Sequence, residues 1–180
     1  MSGKLKYING ALNVPEAIGA YSQAVVSDNL VYLSGQVPLD PHTGNLVEGG
    51  IDAHTEQVMR NVLALLNHMS LDFSSVIKTN IFLINIRDFT EVNEIYSKWM
   101  GGYRPARSTV QVAGLPAGAL VEMEMIANLE LSGAPQVAEG TIADLKDAEI
   151  AFSEVDCKSC LLYTSPSPRD QRGSRMPSSA

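Results

Sequence analysis

Residue types that carry covalent and metal chemistry are scarce in this chain of 180 residues. It has two cysteines, Cys157 and Cys160, and three scattered histidines, His42, His54 and His68. Two cysteines three positions apart, with no further cysteine beside them, make neither a disulfide framework nor a zinc site. We therefore expect no bound metal, and no cysteine nucleophile in the body of the protein.

The short motifs of several enzyme classes are missing as well. The chain has no GxSxG, no Walker A sequence, no GxGxxG and no HExxH. An enzyme with this sequence would act without a cofactor and without covalent catalysis by cysteine. No apolar run approaches the ~20 residues that span a membrane. The N-terminus has neither an apolar signal core nor an arginine-rich stretch, so we expect a cytosolic protein, with mitochondrial association left open.

An excess of positive charge is also lacking, since the net charge is −7. Residues 1–132 carry 8 Lys and Arg against 13 Asp and Glu, and residues 133–159 carry 2 against 6. Only residues 160–180 are basic, with 3 against 1. Nucleic-acid binding depends on a basic patch that contacts phosphates. We therefore expect a small-molecule ligand and no nucleic-acid or membrane partner.

Two C-terminal segments differ from the rest. Residues 133–159 form an acidic extension of unknown role with a short helix expected around 143–152. They are either a natural extension or the start of something longer. Residues 160–180 contain CLLYTS, PSPRD and SRMPSSA, which a transposase sequencing adapter would encode in that order. We interpret them as translated adapter without function, against a natural disordered tail rich in Ser, Pro and Arg.

Residues 1–132 alternate between strand and helix patterns. Two β-rich runs flank a Ser-Asp-Asn turn and predict a hairpin. Apolar residues at helical spacing predict a helix over roughly 52–69. A strand follows, and then a second helix with Asp88 as its N-cap and Glu91 as capping-box partner, ending at Gly101. Two further strands complete an α+β domain, a mixed sheet with two helices on one face.

Arg107 is the first candidate for chemistry, because it lies two positions before residues that read as a buried strand. A guanidinium donates two parallel hydrogen bonds to a carboxylate, so Arg107 is either an anion clamp or an ordinary surface arginine. Glu122 and Glu124 share one face of the last strand, and are either an acid–base pair or a solvated sheet face. Tyr21 reads equally as a ligand-facing lid or a core aromatic. Gly35 indicates a bulge or a close backbone approach.

Several segments together resemble the RidA family (YjgF/YER057c/UK114). They are PEAIGAYSQAV, VYLSGQVPLDPHTGNLV, VIKTNIFL, DFTEVNEIY, RPARSTVQVAGLP and VEMEMIA, which stand in the family's order and spacing between residues 7 and 131. The resemblance implies a chorismate-mutase-like α+β fold, a homotrimer and ligand clefts between subunits. It also implies hydrolysis of 2-imino acids such as 2-iminobutanoate and 2-iminopropanoate to 2-keto acids and ammonia.

The resemblance also assigns residues. It implies that Arg107 binds the substrate carboxylate and that Glu122 holds the attacking water. The remaining substrate-binding positions that it implies are Tyr21, Ser34, Gly35, Asn93 and Thr109.

The chain departs from the family pattern at three positions. Thr109 stands where many members have cysteine, and it mainly offers its backbone carbonyl. Ala20 replaces a usual proline, which is expected to loosen the loop carrying Tyr21. Arg104 replaces a usual aromatic residue and adds a positive charge near the cleft. Two other functions remain open: a ligand-binding or chaperone-like relative, and a UK114-type endoribonuclease or translation inhibitor.

The adapter interpretation of residues 160–180 predicts that the coding sequence of this segment is absent from the source gene. Amplifying and sequencing the gene from source DNA tests it. A natural tail would reappear in that sequence and would contradict the interpretation.

Overall fold

The computed structural model describes residues 5–131. Six strands form one sheet in the order β1-β2-β3-β6-β4-β5. They are β1 (Lys6–Ile8), β2 (Ala24–Ser27), β3 (Leu30–Gln36), β4 (Val76–Leu83), β5 (Ala106–Gln111) and β6 (Val121–Asn128). Every neighbouring pair is antiparallel except β4 and β5, which are parallel. The sheet is therefore mixed, as the sequence predicts.

Two helices cover one face of this sheet. Helix α1 (Ile51–His68) follows the predicted span closely, and α2 (Phe89–Met100) ends where Gly101 adopts a φ of 59°. Glycine reaches this left-handed region without a steric penalty, which explains the sharp helix end. The apolar stripe of α1 packs on alternate residues of β6, and these side chains are buried: Val58, Met59, Val62, Leu65, Leu66, Val121, Met123, Met125 and Ala127.

Period-two alternation in β6 assigns a face to each of its side chains. Val121, Met123 and Met125 point to the helices, while Glu122 and Glu124 are half-buried on the open face. The hairpin of β2 and β3 is also confirmed, with Asp28 in its turn at a φ of 52°. The predicted bulge at Gly35 is present, because the pairing of β3 with β6 shifts register between Leu33 and Gln36.

His54 joins the start of β6 to the loop before α1. This buried imidazole accepts a hydrogen bond from Leu120 N at 3.2 Å through Nδ1, while its Nε2 lies 3.2 Å from the carbonyl of Val47. An accepting Nδ1 requires a neutral ring with the proton on Nε2, which then donates to Val47. His54 therefore fixes the chain two residues before Glu122.

One local prediction is wrong, and another holds only in part. Residues 109–112 are not a strand buried in the core, since β5 is the edge strand and the Val110 side chain is 46% exposed. Asp88 occupies the N-cap position of α2, as predicted. Its side chain makes no capping hydrogen bond, however, because a 3-10 turn (Ile86–Asp88) precedes the helix and holds Asp88 in the αR region. The side chain of Asn85 caps that turn instead by accepting from Arg87 N.

The predicted helix around 143–152, the acidic extension and the adapter-like segment lie outside the described residues. Among the helices of residues 5–131, none is long and apolar enough to cross a membrane.

Candidate active site

Arg107 lies on β5 beside Thr79 of β4, its partner in the parallel register. Its side chain turns toward α2, where the guanidinium carbon is 4.9 Å from the ring centroid of Tyr96 and 5.6 Å from that of Phe89. Both distances fall within the range of cation–π attraction. Within residues 5–131, no carboxylate and no hydrogen-bond acceptor pairs with this half-buried guanidinium. The Arg107 guanidinium therefore lies beside two aromatic rings, and no group among the described residues occupies its hydrogen-bond donors, so they are available to an anion.

Thr109 and Asn93 lie near Arg107. Thr109 is two residues along β5, so its side chain shares the helix-covered face, and its hydroxyl is buried without a hydrogen-bond partner in the described chain. Asn93 falls four residues after Phe89 and three before Tyr96, which places all three on one side of α2. We call Arg107, Asn93 and Thr109 the arginine site.

Glu122 lies against the bulge of β3. Its carboxylate occupies the space above Gly35, where an added Cβ would come within 2.8 Å of Glu122 Cδ. Any larger residue at position 35 would force the carboxylate aside, so glycine is what lets Glu122 occupy this position. Burial raises the pKa of the Glu122 carboxyl above its usual range, and repulsion from Glu124 raises it further.

Tyr21 and Ser34 lie on the same side of the molecule as Gly35. Tyr21 and Gly35 line a narrow cleft together with Ile18, Val37 and Leu39. The Tyr21 side chain is 47% exposed, and its hydroxyl accepts from Ile18 N at 3.3 Å. Tyr21 is therefore not a core aromatic, and its role as a ligand-facing lid stays a prediction.

Ser34 is tied to the neighbouring loop. Its hydroxyl donates to the carbonyl of Ser22 at 2.6 Å, and its backbone N–H donates to Gln23 at 3.0 Å. We call Tyr21, Ser34, Gly35 and Glu122 the glutamate site.

The arginine site and the glutamate site do not meet within one chain. Arg107 is level with Thr79 on the helix-covered face, whereas Glu122 is level with Phe82 on the open face. Strand spacing and rise place their Cα atoms about 14 Å apart, with β4 between them. A ligand of a few carbon atoms cannot contact both side chains of one chain.

The two positions that depart from the family pattern beside the cleft, Ala20 and Arg104, are both exposed. Arg104 is exposed, and it donates to the carbonyls of Gly101 at 2.9 Å and Tyr103 at 3.0 Å. The Arg104 guanidinium therefore hydrogen-bonds to carbonyls at the C-terminal end of α2. Burial raises the pKa of Tyr96, and the charge of Arg104 opposes that rise slightly. Ala20 is exposed beside Tyr21, whose backbone N–H bonds to the Gly19 carbonyl at 2.9 Å.

Sequence reasoning missed the residues that hold Arg107. Phe89 and Tyr96 are seven positions apart, which is two helical turns, so this spacing is the signal that predicts a shared aromatic face. Nothing in the sequence pairs that face with Arg107, because the parallel register of β4 and β5 brings them together. Within residues 5–131, no group of three or more His, Cys, Asp or Glu side chains could hold a metal ion.

The mixed six-stranded sheet with two helices on one face defines a chorismate-mutase-like α+β domain. The family described as Endoribonuclease L-PSP matches residues 11–129, and the chain belongs to it. Its 2-iminobutanoate/2-iminopropanoate deaminase relative from Rattus norvegicus is 43% identical over 127 residues, which cover 71% of this chain and 93% of that protein.

Two solved structures show the same fold. RidA from an Antarctic Psychrobacter is 40% identical with a TM-score of 0.65, over 68% of this chain and 98% of that one. E. coli TdcF with bound serine is 33% identical with a TM-score of 0.64, again over 68% and 98%. The resemblance to the RidA family is thereby confirmed.

The raised pKa of Glu122 depends in part on Glu124, and this gives a direct test. Glu124→Gln removes the repulsion but keeps an oxygen to accept from Asn80 Nδ2, which now lies 2.7 Å from Glu124 Oε1. We expect the Glu122 pKa to fall toward the usual value while the fold is retained. Carboxyl carbon NMR titration measures this shift, and an unchanged or higher pKa would contradict the assigned cause.

Proposed function

We propose that this protein is a 2-iminobutanoate/2-iminopropanoate deaminase, a hydrolase of C–N bonds. The observation that carries the proposal is the guanidinium of Arg107, stacked on two rings and without an acceptor in residues 5–131. Such a group suits a small carboxylate, with each charge-assisted hydrogen bond contributing about 1.5–3 kcal/mol. The relative from rat carries this activity as its name, and the relative from E. coli holds serine, which also has a carboxylate.

The reaction needs few groups. Water adds to the carbon of the protonated imine, the resulting carbinolamine loses ammonia, and a 2-keto acid and an ammonium ion remain. Holding the imine and the water in attack geometry supplies much of the rate enhancement. Arg107 fixes the carboxylate end of the substrate. Glu122 orients the water, accepts its proton and passes that proton to the departing nitrogen of the carbinolamine. The raised pKa of Glu122 makes this carboxylate a stronger base than an exposed glutamate.

The site requires two copies of the chain. Because Arg107 and Glu122 lie on opposite faces, about 14 Å apart at Cα, one protomer supplies the arginine site and its neighbour the glutamate site. A homotrimer with sites between subunits meets this requirement with one repeated contact. Asn93 and Thr109 then approach the substrate from the first protomer, and Tyr21, Ser34 and Gly35 from the second.

The family description also contains the word endoribonuclease. Binding RNA requires compensation of phosphate charge, and a chain with a net charge of −7 offers little of it. The acidic charge balance therefore favours the imine over RNA.

The proposal predicts that the protein removes 2-iminobutanoate and that Arg107→Lys does so poorly. Lysine keeps the charge but loses the two-pronged donor, so we expect kcat/KM to fall about 10- to 100-fold, or more for Arg107→Ala. The imine is generated in situ with an amino-acid oxidase and trapped with semicarbazide, and the readout is the decrease in trapped imine.

Arg87→Lys is the matched control, because Arg87 is exposed on the turn before α2, outside both sites. It should clear imine like the wild type. Equal clearance by Arg107→Ala and the wild type would remove Arg107 from the mechanism. A wild type without any clearance would move the function to ligand binding or a chaperone-like role.

A further inference from the structure

We propose that Tyr96 and Phe89 are positioning residues that hold the guanidinium of Arg107 in its carboxylate-binding orientation. The inference deepens the proposed function and rests on it for its effect on substrate binding. Neither ring need touch the substrate. We call the two rings the aromatic cradle.

The geometry of the cradle is set by hydrogen bonding as well as packing. Tyr96 is 5% exposed, and its hydroxyl lies 3.1 Å from the hydroxyl of Thr79. Thr79 is fully buried and is the strand partner of Arg107 in the β4–β5 register. The residue that pairs with Arg107 in the sheet therefore also anchors the ring on which Arg107 stacks. The Tyr96 ring and the Arg107 side chain are thus both anchored on the strand pair β4–β5, the ring through its bond to Thr79.

Phe89 completes the cradle from the first turn of α2. Its ring centroid is 5.6 Å from the guanidinium carbon, against 4.9 Å for Tyr96, and both rings lie on one side of the helix. An aromatic face attracts a guanidinium without occupying its N–H groups in hydrogen bonds. The rings can therefore restrain the side chain while its donors stay free for a carboxylate.

The restraint matters because β5 is an edge strand. A long arginine side chain on an exposed edge would lose much rotational freedom on binding an anion, and that loss weakens binding. A salt bridge could hold the side chain, but it would consume the donors and oppose the substrate. Stacking on neutral rings avoids this competition. Burial raises the pKa of Tyr96, although nearby positive charge from Arg107 opposes that rise, so the phenol stays neutral beside the guanidinium.

The first measurement examines the cradle in the free, full-length protein. Ring currents of two stacked aromatics should move the Nε–H proton signal of Arg107 upfield, and Arg107→Lys identifies that signal by removing it. Phe89→Leu and Tyr96→Leu should each reduce the shift, whereas Tyr96→Phe, which keeps the ring, should retain most of it. A signal unmoved by both leucine variants would overturn the cradle, whether or not the protein is a deaminase.

The second measurement asks whether the cradle supports binding. The probe is 2-oxobutanoate, the carboxylate product, titrated by calorimetry alongside imine clearance. We expect Phe89→Leu and Tyr96→Leu to raise its Kd by up to about 10-fold, because an arginine side chain that is no longer restrained must be ordered when the carboxylate binds. Turnover at saturation should fall by less than about 3-fold, since the carboxylate is bound equally before and during the reaction. Tyr96→Phe keeps the ring but loses the bond to Thr79, so its Kd should rise less than that of Tyr96→Leu.

Trp99→Leu is the control for general loosening of α2. Trp99 lies on the same helix but packs edge-to-face against Phe73, with ring centroids 6.2 Å apart, and donates to Glu56 Oε2 at 3.0 Å, away from Arg107. It should change stability without changing the Kd. If Tyr96→Leu does not fold, Phe89→Leu alone decides, since Phe89 is only partly buried.

The possible failures are distinguishable. A wild type that neither clears imine nor binds 2-oxobutanoate would overturn the proposed function, and with it the effect on binding, while the proton signal still tests the stacking. A wild type that does both, with a Kd unchanged in both leucine variants, would overturn the positioning role alone.

Discussion

The parallel pairing of β4 with β5 is the constraint on which the functional arrangement depends. It sets Arg107 beside Thr79 and so on the face covered by α2, while the antiparallel pairing of β4 with β6 sets Glu122 beside Phe82 on the other face. Side-chain alternation leaves no freedom to bring the two charges together within one sheet. The distance between the arginine site and the glutamate site of one chain is thus fixed by the strand register. Oligomerisation then becomes part of the proposed chemistry.

Each of the two sites uses a different physical device to keep a charge available. The guanidinium is held by rings that leave its donors free, and the carboxylate is partly buried over a glycine that leaves room for it. Burial and a neighbouring carboxylate raise the pKa of Glu122. A higher pKa makes the carboxylate a stronger base, but the group also becomes protonated, and so lost as a base, at a higher pH. We therefore expect the activity to decline on acidification at a higher pH than an exposed glutamate would give.

Much of the fold follows from the sequence because its patterns are local. The 3.6-residue period of α1, the alternation of β6, the turn at Asp28 and the glycine end of α2 each depend on a few neighbouring residues. The bulge at Gly35 was also predictable, although the side chain that lies over it, Glu122, is 87 positions away and could not be. The edge position of β5 could not be predicted, because strand order depends on long-range pairing that no local pattern encodes.

The contact of Arg107 with Phe89 and Tyr96 could not be predicted for the same reason. Asp88 is the N-cap residue of α2 as predicted, but the expected capping bond is absent because a 3-10 turn precedes the helix, and the Asn85 side chain caps that turn.

The central claim is that one active site contains Arg107 from one chain and Glu122 from another, and subunit mixing tests it most directly. Arg107→Ala and Glu122→Gln proteins, each inactive alone, are unfolded together at equal concentration, refolded and assayed for imine clearance. In a cyclic trimer assembled at random, about one quarter of the sites would pair an intact arginine with an intact glutamate. Recovery of about that fraction of the wild-type activity is the predicted result. Mixed oligomers that form but remain inactive would contradict the account.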